Sequence, residues 1–125
     1  MWQPPYAAAQ PFVWIPGYGL FQLGVLPGQS GGYAVAINNS FVMVGESGVR
    51  GPSVPTRDRL TAVRWTLGGG RVESLNSLLA NGEGWHVERA ISVNNLGAIL
   101  AVGTFNNESH GVLLVPADLA PVAAR

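Results

Sequence analysis

Three side chains in the last third of the sequence could act together in acid–base or metal chemistry. His86 and Glu88 lie two residues apart in an alternating apolar segment, and His110 begins a second such segment. Because side chains two apart on a strand share a face, His86 and Glu88 are expected to point the same way. Two imidazoles and a carboxylate can bind zinc or copper, or serve as a general base and its orienting group. The alternative is that both histidines lie at strand entrances and are solvated, and we predict no metal and no cofactor.

A serine nucleophile is the second chemical possibility. The segment VGESG (44–48) is similar to a nucleophile elbow centred on Ser47. That elbow requires glycine where this chain has Val49, and it requires a strand–turn–helix setting, whereas Ser47 follows an antiparallel type of strand into a loop. The sequence therefore commits to no catalytic residue. A small hydrolase or metal-dependent enzyme remains the alternative function, with a site at a subunit junction formed by Ser47, His86, Glu88 and His110.

One long, charge-rich loop offers a candidate anion site. The loop VRGPSVPTRDRL (49–60) contains Arg50, Arg57 and Arg59. Guanidinium groups bind carboxylates and sulfates through two parallel hydrogen bonds, so an acidic sugar is a candidate ligand. Long loops in compact domains are often functional. The alternative is a solvated loop in which the arginines pair with Asp58.

The aromatic residues divide into two groups. Trp14 and Trp65 fall at matching positions of similar segments, which predicts that both pack in the core. Trp85 and Tyr33 stand beside the glycine-rich segments NGEGW and QSGGY. Rings at such places can stack on sugars, and the alternative is that they close the end of a sheet as an aromatic plug. We therefore include Trp85 and Tyr33 with the candidate ligand-binding residues.

Composition narrows the classes of partner. The chain of 125 residues has the length of a single domain. Seven arginines, with no lysine, balance seven acidic residues, so we expect no nucleic-acid partner. An apolar content of 47% with only 11% charged residues indicates that some apolar surface meets a partner. No cysteine is present, which excludes disulfides and thiolate chemistry. The longest apolar run (98–102) is far too short to cross a bilayer, so we expect no membrane contact.

The apolar pattern alternates nearly everywhere, which predicts an all-β chain. Segments bounded by Gly, Pro, Asn or Ser are typical of short strands. Only SLNSLLANG (74–82) could hold a helical turn, and Gly82 ends it. Nine strands are predicted, namely Phe12–Ile15, Gly19–Val25, Tyr33–Ile37, Phe41–Glu46, Thr61–Thr66, Arg71–Leu75, Val87–Val93, Ala98–Thr104 and His110–Val115.

A pair of asparagines interrupts two of these segments in the same way. AINNSFVMVG and SVNNLGAILA align with an offset of 56 residues, and Asn side chains suit a tight hairpin because they tolerate positive φ and bond their own backbone. Upstream of the hairpins, LFQLGVLPG aligns with VESLNSLLANG at an offset of 52, so the second copy has a loop four residues longer. PFVWIPGYG, TAVRWTLGGG and HGVLLVP also match one another. The chain is thus an internal repeat of about fifty residues with four strands to a unit, the length of a propeller blade.

The ordered blocks resemble a known family. VESLNSLLANGEGW, AISVNNLGAILA, FNNESH and GVLLVP follow one another as in the terminal unit of the HAF family of bacterial extracellular repeat proteins. LGVLPGQSGGYAVAINNSFVMVGES is similar to an internal unit of that family. The motif that names the family, His-Ala-Phe, is His110-Gly111-Val112 here. The resemblance implies repeated β-sheets and export to the periplasm or the extracellular space, and it assigns no catalytic residue.

Together these observations predict an irregular arm (1–10), a single β-repeat domain (11–116) and a C-terminal tail (117–125). The domain is expected to hold two antiparallel four-stranded units (about 11–60 and 61–116) that are propeller-blade-like, with a β-sandwich or small barrel as the alternative. The last unit lacks its fourth strand. We expect a noncatalytic module with a binding or assembly role. Its possible ligands are saccharides or proteins. We also expect it to form a homo-oligomer, either a dimer or a trimer. The segment 11–25 of one subunit would dock against 98–115 of another.

Overall fold

The described part of the chain is all-β. The computed structural model describes residues 10–48, 60–67 and 71–119. It has nine strands and two short 3-10 helices, Leu75–Leu78 and Ala117–Leu119, with no α-helix among the described residues. The strands are β1 (Phe12–Ile15), β2 (Gly19–Gln22), β3 (Gly31–Ile37), β4 (Val42–Gly48), β5 (Thr61–Thr66), β6 (Val72–Ser74), β7 (Trp85–Val93), β8 (Ile99–Phe105) and β9 (Glu108–Leu114).

The strands form three antiparallel sheets in chain order. The first sheet is β1-β2, the central sheet is β3-β4-β5-β6 and the third sheet is β7-β8-β9. Within each sheet, strands that are consecutive in the chain are neighbours, as the alternating pattern with polar breaks predicts. The all-β prediction is confirmed. The described strands make one four-stranded sheet rather than two, and none of the three sheets is closed into a barrel.

The central sheet is covered on both faces. Val44 and Ala62 pack against the third sheet through Val87, Ala90, Ile99 and Ala101. Met43, Val63 and Trp65 point to the opposite face, where Leu23 and Leu26, which follow β2, cover them. Adjacent residues of a strand point to opposite faces, so the consecutive buried residues of β4 and β5 serve two cores. This arrangement stacks the sheets in the order of the sequence.

The central and third sheets share the position of a bulge. The pairing register shifts at Val35 in β3 and at Ile91 in β7. The third sheet has one more shift, at Glu88, which has no counterpart in the central sheet. Opposite the bulge of β3 the two strands approach closely, and a Cβ on Gly45 would collide with the Tyr33 carbonyl oxygen. A glycine is therefore required where β4 passes the bulge of β3.

The two asparagine hairpins have the same hydrogen bonds. Asn38 Oδ1 accepts from the backbone N–H groups two and four residues ahead, both at 2.9 Å. Asn94 Oδ1 does the same at 3.0 and 2.9 Å. The predicted side-chain-to-backbone bonding is confirmed, but the positive φ lies elsewhere, at Phe41 (62°) and Gly97 (91°). These turns place the side-chain amides of Asn38 and Asn94 at the same end of the two sheets.

Candidate binding and assembly site

Ser47 lies in the interior, away from any approaching substrate. Its side chain is fully buried in β4. The Oγ accepts a hydrogen bond from the Leu26 N–H at 3.3 Å and donates one to the Gln29 side-chain carbonyl. The hydroxyl therefore fastens the segment that follows β2 to the central sheet. A nucleophilic serine needs both an accessible Oγ and a base, and this position offers neither within the described residues.

The two histidines occupy opposite faces of the third sheet. His86 is opposite Thr104, whereas His110 is opposite Gly103, and neighbouring pairs of a ladder point to opposite sides. His86 Nε2 lies 2.8 Å from the Leu60 carbonyl oxygen. His110 Nε2 lies 3.8 Å from a Glu108 carboxylate oxygen at the exposed start of β9. The structure does not bring the imidazoles together.

Glu88 has a different environment from the one that a simple strand predicts. It occupies the additional bulge of β7, so the two-residue spacing from His86 does not define a common face. Its side chain is buried. Among the described residues, no group of three or more His, Asp or Glu side chains is placed to hold a metal ion.

The candidate ligand-binding residues are dispersed. Arg50, Arg57 and Arg59 lie outside the described residues. Tyr33 is exposed on β3, opposite Glu46. Trp85 is half-buried, with its ring 5.0 Å from that of Phe105 and 5.5 Å, edge-on, from that of His110. These ring contacts lie at the start of β7.

The first sheet repeats the outer half of the central sheet, but no described residues cover it as the central sheet is covered. Trp14 is opposite Leu20, as Trp65 is opposite Val72. Trp65 is only 2% exposed, because the segment after β2 packs on it and the Gly24 carbonyl accepts its Nε1–H at 2.9 Å. Trp14 is 62% exposed. The prediction that Trp14 lies in the core is therefore wrong, since no described residue packs on it as the segment after β2 packs on Trp65.

The third sheet ends the stack at the other side with a second face that no other described residues cover. Leu100 of β8 matches Val44 of β4 at the offset of the asparagine hairpins, and Leu113 of β9 lies beside it in the ladder. Val44 is 0% exposed because the third sheet covers it, whereas Leu100 is 43% and Leu113 64% exposed. The chain therefore has two apolar ends, one at each terminus of the stack.

Among the described strands none pairs with the outer edge of β9, and an apolar groove lies beside that edge. The groove has a volume of about 630 Å³ and is open to solvent. It runs between the 3-10 helix after β6 and the end of β9, where the fourth strand of a complete unit would lie. Its lining includes Leu75, Leu78, Leu79, Leu113, Leu114 and Arg64.

Hydrogen bonds join the two asparagine hairpins directly. Asn38 Nδ2 donates to the Asn94 carbonyl at 2.9 Å, and the Asn39 N–H donates to Asn95 Oδ1 at 2.7 Å. Both bonds connect residues 56 apart, so equivalent positions of the two units are in contact. We call these four residues the asparagine ladder. The alignment of the two repeats could have indicated this ladder, because two identical Asn-Asn pairs at the same offset allow equivalent hairpins to stack on each other.

In the described part of the chain, the fold and site define an all-β stack of three sheets with an exposed apolar face at each end. The chain matches no family model, no curated protein and no solved structure in the comparisons made. Among the described residues, no helix has the length and apolar character needed to cross a membrane.

Proposed function

We propose that the protein is a noncatalytic β-repeat module that works by assembly, with further copies of the chain as its partner. One observation carries the proposal. Positions that are buried between units inside the chain are exposed at its two ends, as Leu100 is compared with Val44. Stacked repeats bury their apolar faces only against a neighbouring unit, so uncovered end units lower solubility and favour association.

The proposed oligomer brings opposite ends of two subunits together. The segment 11–25 of one subunit meets 98–115 of the next, which covers Trp14 and Leu20 on one side and Leu100 and Leu113 on the other. Heterologous contacts of this kind close into a ring when the rotation allows it, and we propose a dimer or trimer. In this view each sheet is a propeller-blade-like unit, and the third sheet is completed by the neighbour. The resemblance to exported repeat proteins supports a location outside the cytoplasm.

Light scattering on a size-exclusion column tests the assembly. Wild-type protein is expected to associate at micromolar concentration. Leu100→Arg places an unpaired charge in the contact, so we expect the midpoint of association to rise about tenfold or more. Val35→Arg is the matched control, because Val35 and its equivalent, Ile91, are both exposed and neither is covered by stacking. A folded wild-type monomer at micromolar concentration would refute the proposal.

A further inference from the structure

We propose that the asparagine ladder continues between subunits and sets the direction in which they stack. Asn94 and Asn95 of one copy would donate to Asn38 and Asn39 of the partner subunit. This inference rests on the proposed assembly role. It goes further because it names the atoms that select the partner and the relative orientation of the two chains.

The ladder has a donor end and an acceptor end. Inside the chain, Asn38 donates through Nδ2 and Asn39 through its N–H. The equivalent donors of the second hairpin, Asn94 Nδ2 and the Asn95 N–H, have no hydrogen bond among the described residues, and both residues are exposed. At the opposite end, Asn39 Oδ1 is also without a donor in the described chain.

The backbone carbonyls show the same difference. The Asn94 carbonyl accepts two hydrogen bonds, one from Gly97 N–H within its turn at 3.0 Å and one from Asn38 Nδ2 at 2.9 Å. Among the described residues, the Asn38 carbonyl accepts one hydrogen bond, the turn bond from Phe41 N–H at 3.1 Å. A carbonyl oxygen has two acceptor positions. The first hairpin therefore offers two acceptors, the Asn38 carbonyl and Asn39 Oδ1. They are arranged as the donors of the second hairpin require.

Apolar side chains beside the ladder repeat this complementarity. Within the chain, Val44 and Val93 belong to the cluster that joins the central and third sheets. Their counterparts at the open ends are Leu100 and Ile37, which are 43% and 45% exposed. Ile37 lies at the corner of the central sheet next to the hairpin, on the side of the first sheet. A second copy placed by the internal repeat would therefore set Leu100 against Ile37 of the partner subunit.

This contact is directional. The donor end of one subunit meets the acceptor end of the next, so the interface is heterologous and each subunit has one of each end. Two donor ends or two acceptor ends have no hydrogen bonds to exchange. A symmetric back-to-back dimer is consequently not the arrangement that this ladder selects.

The first experiment removes the donor without altering its own turn. Asn94→Asp keeps Oδ1, which accepts the two hydrogen bonds of the turn. It replaces the Nδ2 donor with a second carboxylate oxygen, which would face the Asn38 carbonyl of the partner subunit and cannot donate to it. We expect the midpoint of association, measured by sedimentation velocity over a concentration series, to rise about tenfold. Urea unfolding of the monomer is expected to be unchanged.

The matched control makes the same substitution one repeat earlier. Asn38→Asp removes the internal bond to the Asn94 carbonyl but retains the carbonyl oxygen that the partner would use. We expect a lower urea midpoint and an unchanged midpoint of association for the folded protein. The two variants carry the same substitution in different repeats. If Asn94→Asp weakens only association and Asn38→Asp lowers only stability, the two ends of the ladder are identified.

A mixing experiment tests the direction. Asn39→Ala removes the Oδ1 acceptor and leaves its backbone N–H, so this variant alone should also associate about tenfold more weakly. An equimolar mixture of Asn94→Asp and Asn39→Ala pairs one intact donor end with one intact acceptor end. In the mixture one contact is intact and the reverse contact carries both substitutions, so one-to-one pairs should form at a midpoint between that of wild-type protein and those of the two variants alone.

The outcomes separate the inference from the proposed function. If wild-type protein associates while both ladder variants associate equally well, the ladder inference fails and the assembly role stands. If both variants are weakened but mixing restores nothing, the contact is not head-to-tail and the inference is overturned. If wild-type protein stays monomeric throughout, the proposed function fails with it.

Discussion

The Ser47 hydroxyl joins two segments that are distant in sequence. It accepts from the backbone of Leu26 and donates to the Gln29 side chain, both of which lie in the connection that leads from the first sheet to the central sheet. In a fully buried position, losing either partner leaves a polar group without a hydrogen bond. The residue that could have been a nucleophile therefore holds the connection in place.

Ser47→Ala is expected to destabilise the protein rather than to remove an activity. The free energy of unfolding should fall by about 1–3 kcal/mol, because the Leu26 N–H becomes unpaired. Urea unfolding measures the change. Ser92→Ala, at an exposed serine, should change it by less than about 0.5 kcal/mol. The catalytic alternative would gain support if Ser47→Ala kept its stability while hydrolysis of an ester or glycoside panel was lost.

The arginines of the 49–60 loop give a second prediction at this scale. If Arg50, Arg57 and Arg59 form an anion site, binding of an acidic polysaccharide should weaken steeply with salt, because exposed charges are screened within about 8 Å at physiological ionic strength. Calorimetric titration at several salt concentrations measures the effect, with a neutral polysaccharide as the control. Salt-independent binding, or no binding, would exclude this site.

Among the elements, the asparagine hairpin shows how far the sequence predicts structure. Nine strands were expected from alternation, and all nine are present with ends within three residues of the prediction. The repeated Asn-Asn pair indicated the hairpins because an Asn side chain can bond its own backbone. It did not indicate that the left-handed residue is Phe41 in the first hairpin and Gly97 in the second.

The candidate site was less predictable because bulges change the faces of a strand. The spacing of His86 and Glu88 predicts one face, yet the bulge at Glu88 alters the alternation. Trp14 and Trp65 match in register, but only Trp65 has a unit packed in front of it. The burial of a repeat position depends on whether another unit packs against it. The residue type alone does not show whether such a unit is present.

Gly97→Ala tests the turn that positions the second hairpin. Gly97 has a φ of 91°, and a Cβ there would lie 3.3 Å from Pro116 Cγ. We expect the free energy of unfolding to fall by about 1 kcal/mol, because alanine is strained in this backbone conformation. Gly111→Ala is the control, since a Cβ on Gly111 meets no atom within 4 Å. Equal urea midpoints for the two variants would contradict this account of the turn.

At the scale of the whole molecule, stability is distributed unequally along the stack. The central sheet is covered on both faces, and the third sheet is covered on one. The first sheet has only two strands, and Phe12, Trp14 and Leu20 on it are exposed. In a stack whose units contact only their neighbours, each unit is stabilised by the interfaces that it shares. Under the proposed assembly, the end units would gain from a neighbouring subunit the cover that the central sheet already has.

This unequal cover sets the order in which backbone amides should exchange with deuterium. We expect the amides of β4 and β5 to exchange slowest, at the rate of global unfolding, and those of β1 and β2 to exchange fastest through local opening. Mass spectrometry of peptic fragments over a time course measures this order, and uniform protection of all nine strands would contradict it. An N-terminal hairpin that opens while the central sheet remains folded can leave that sheet and return to it, so subunits of the proposed oligomer would exchange without global unfolding of the protein.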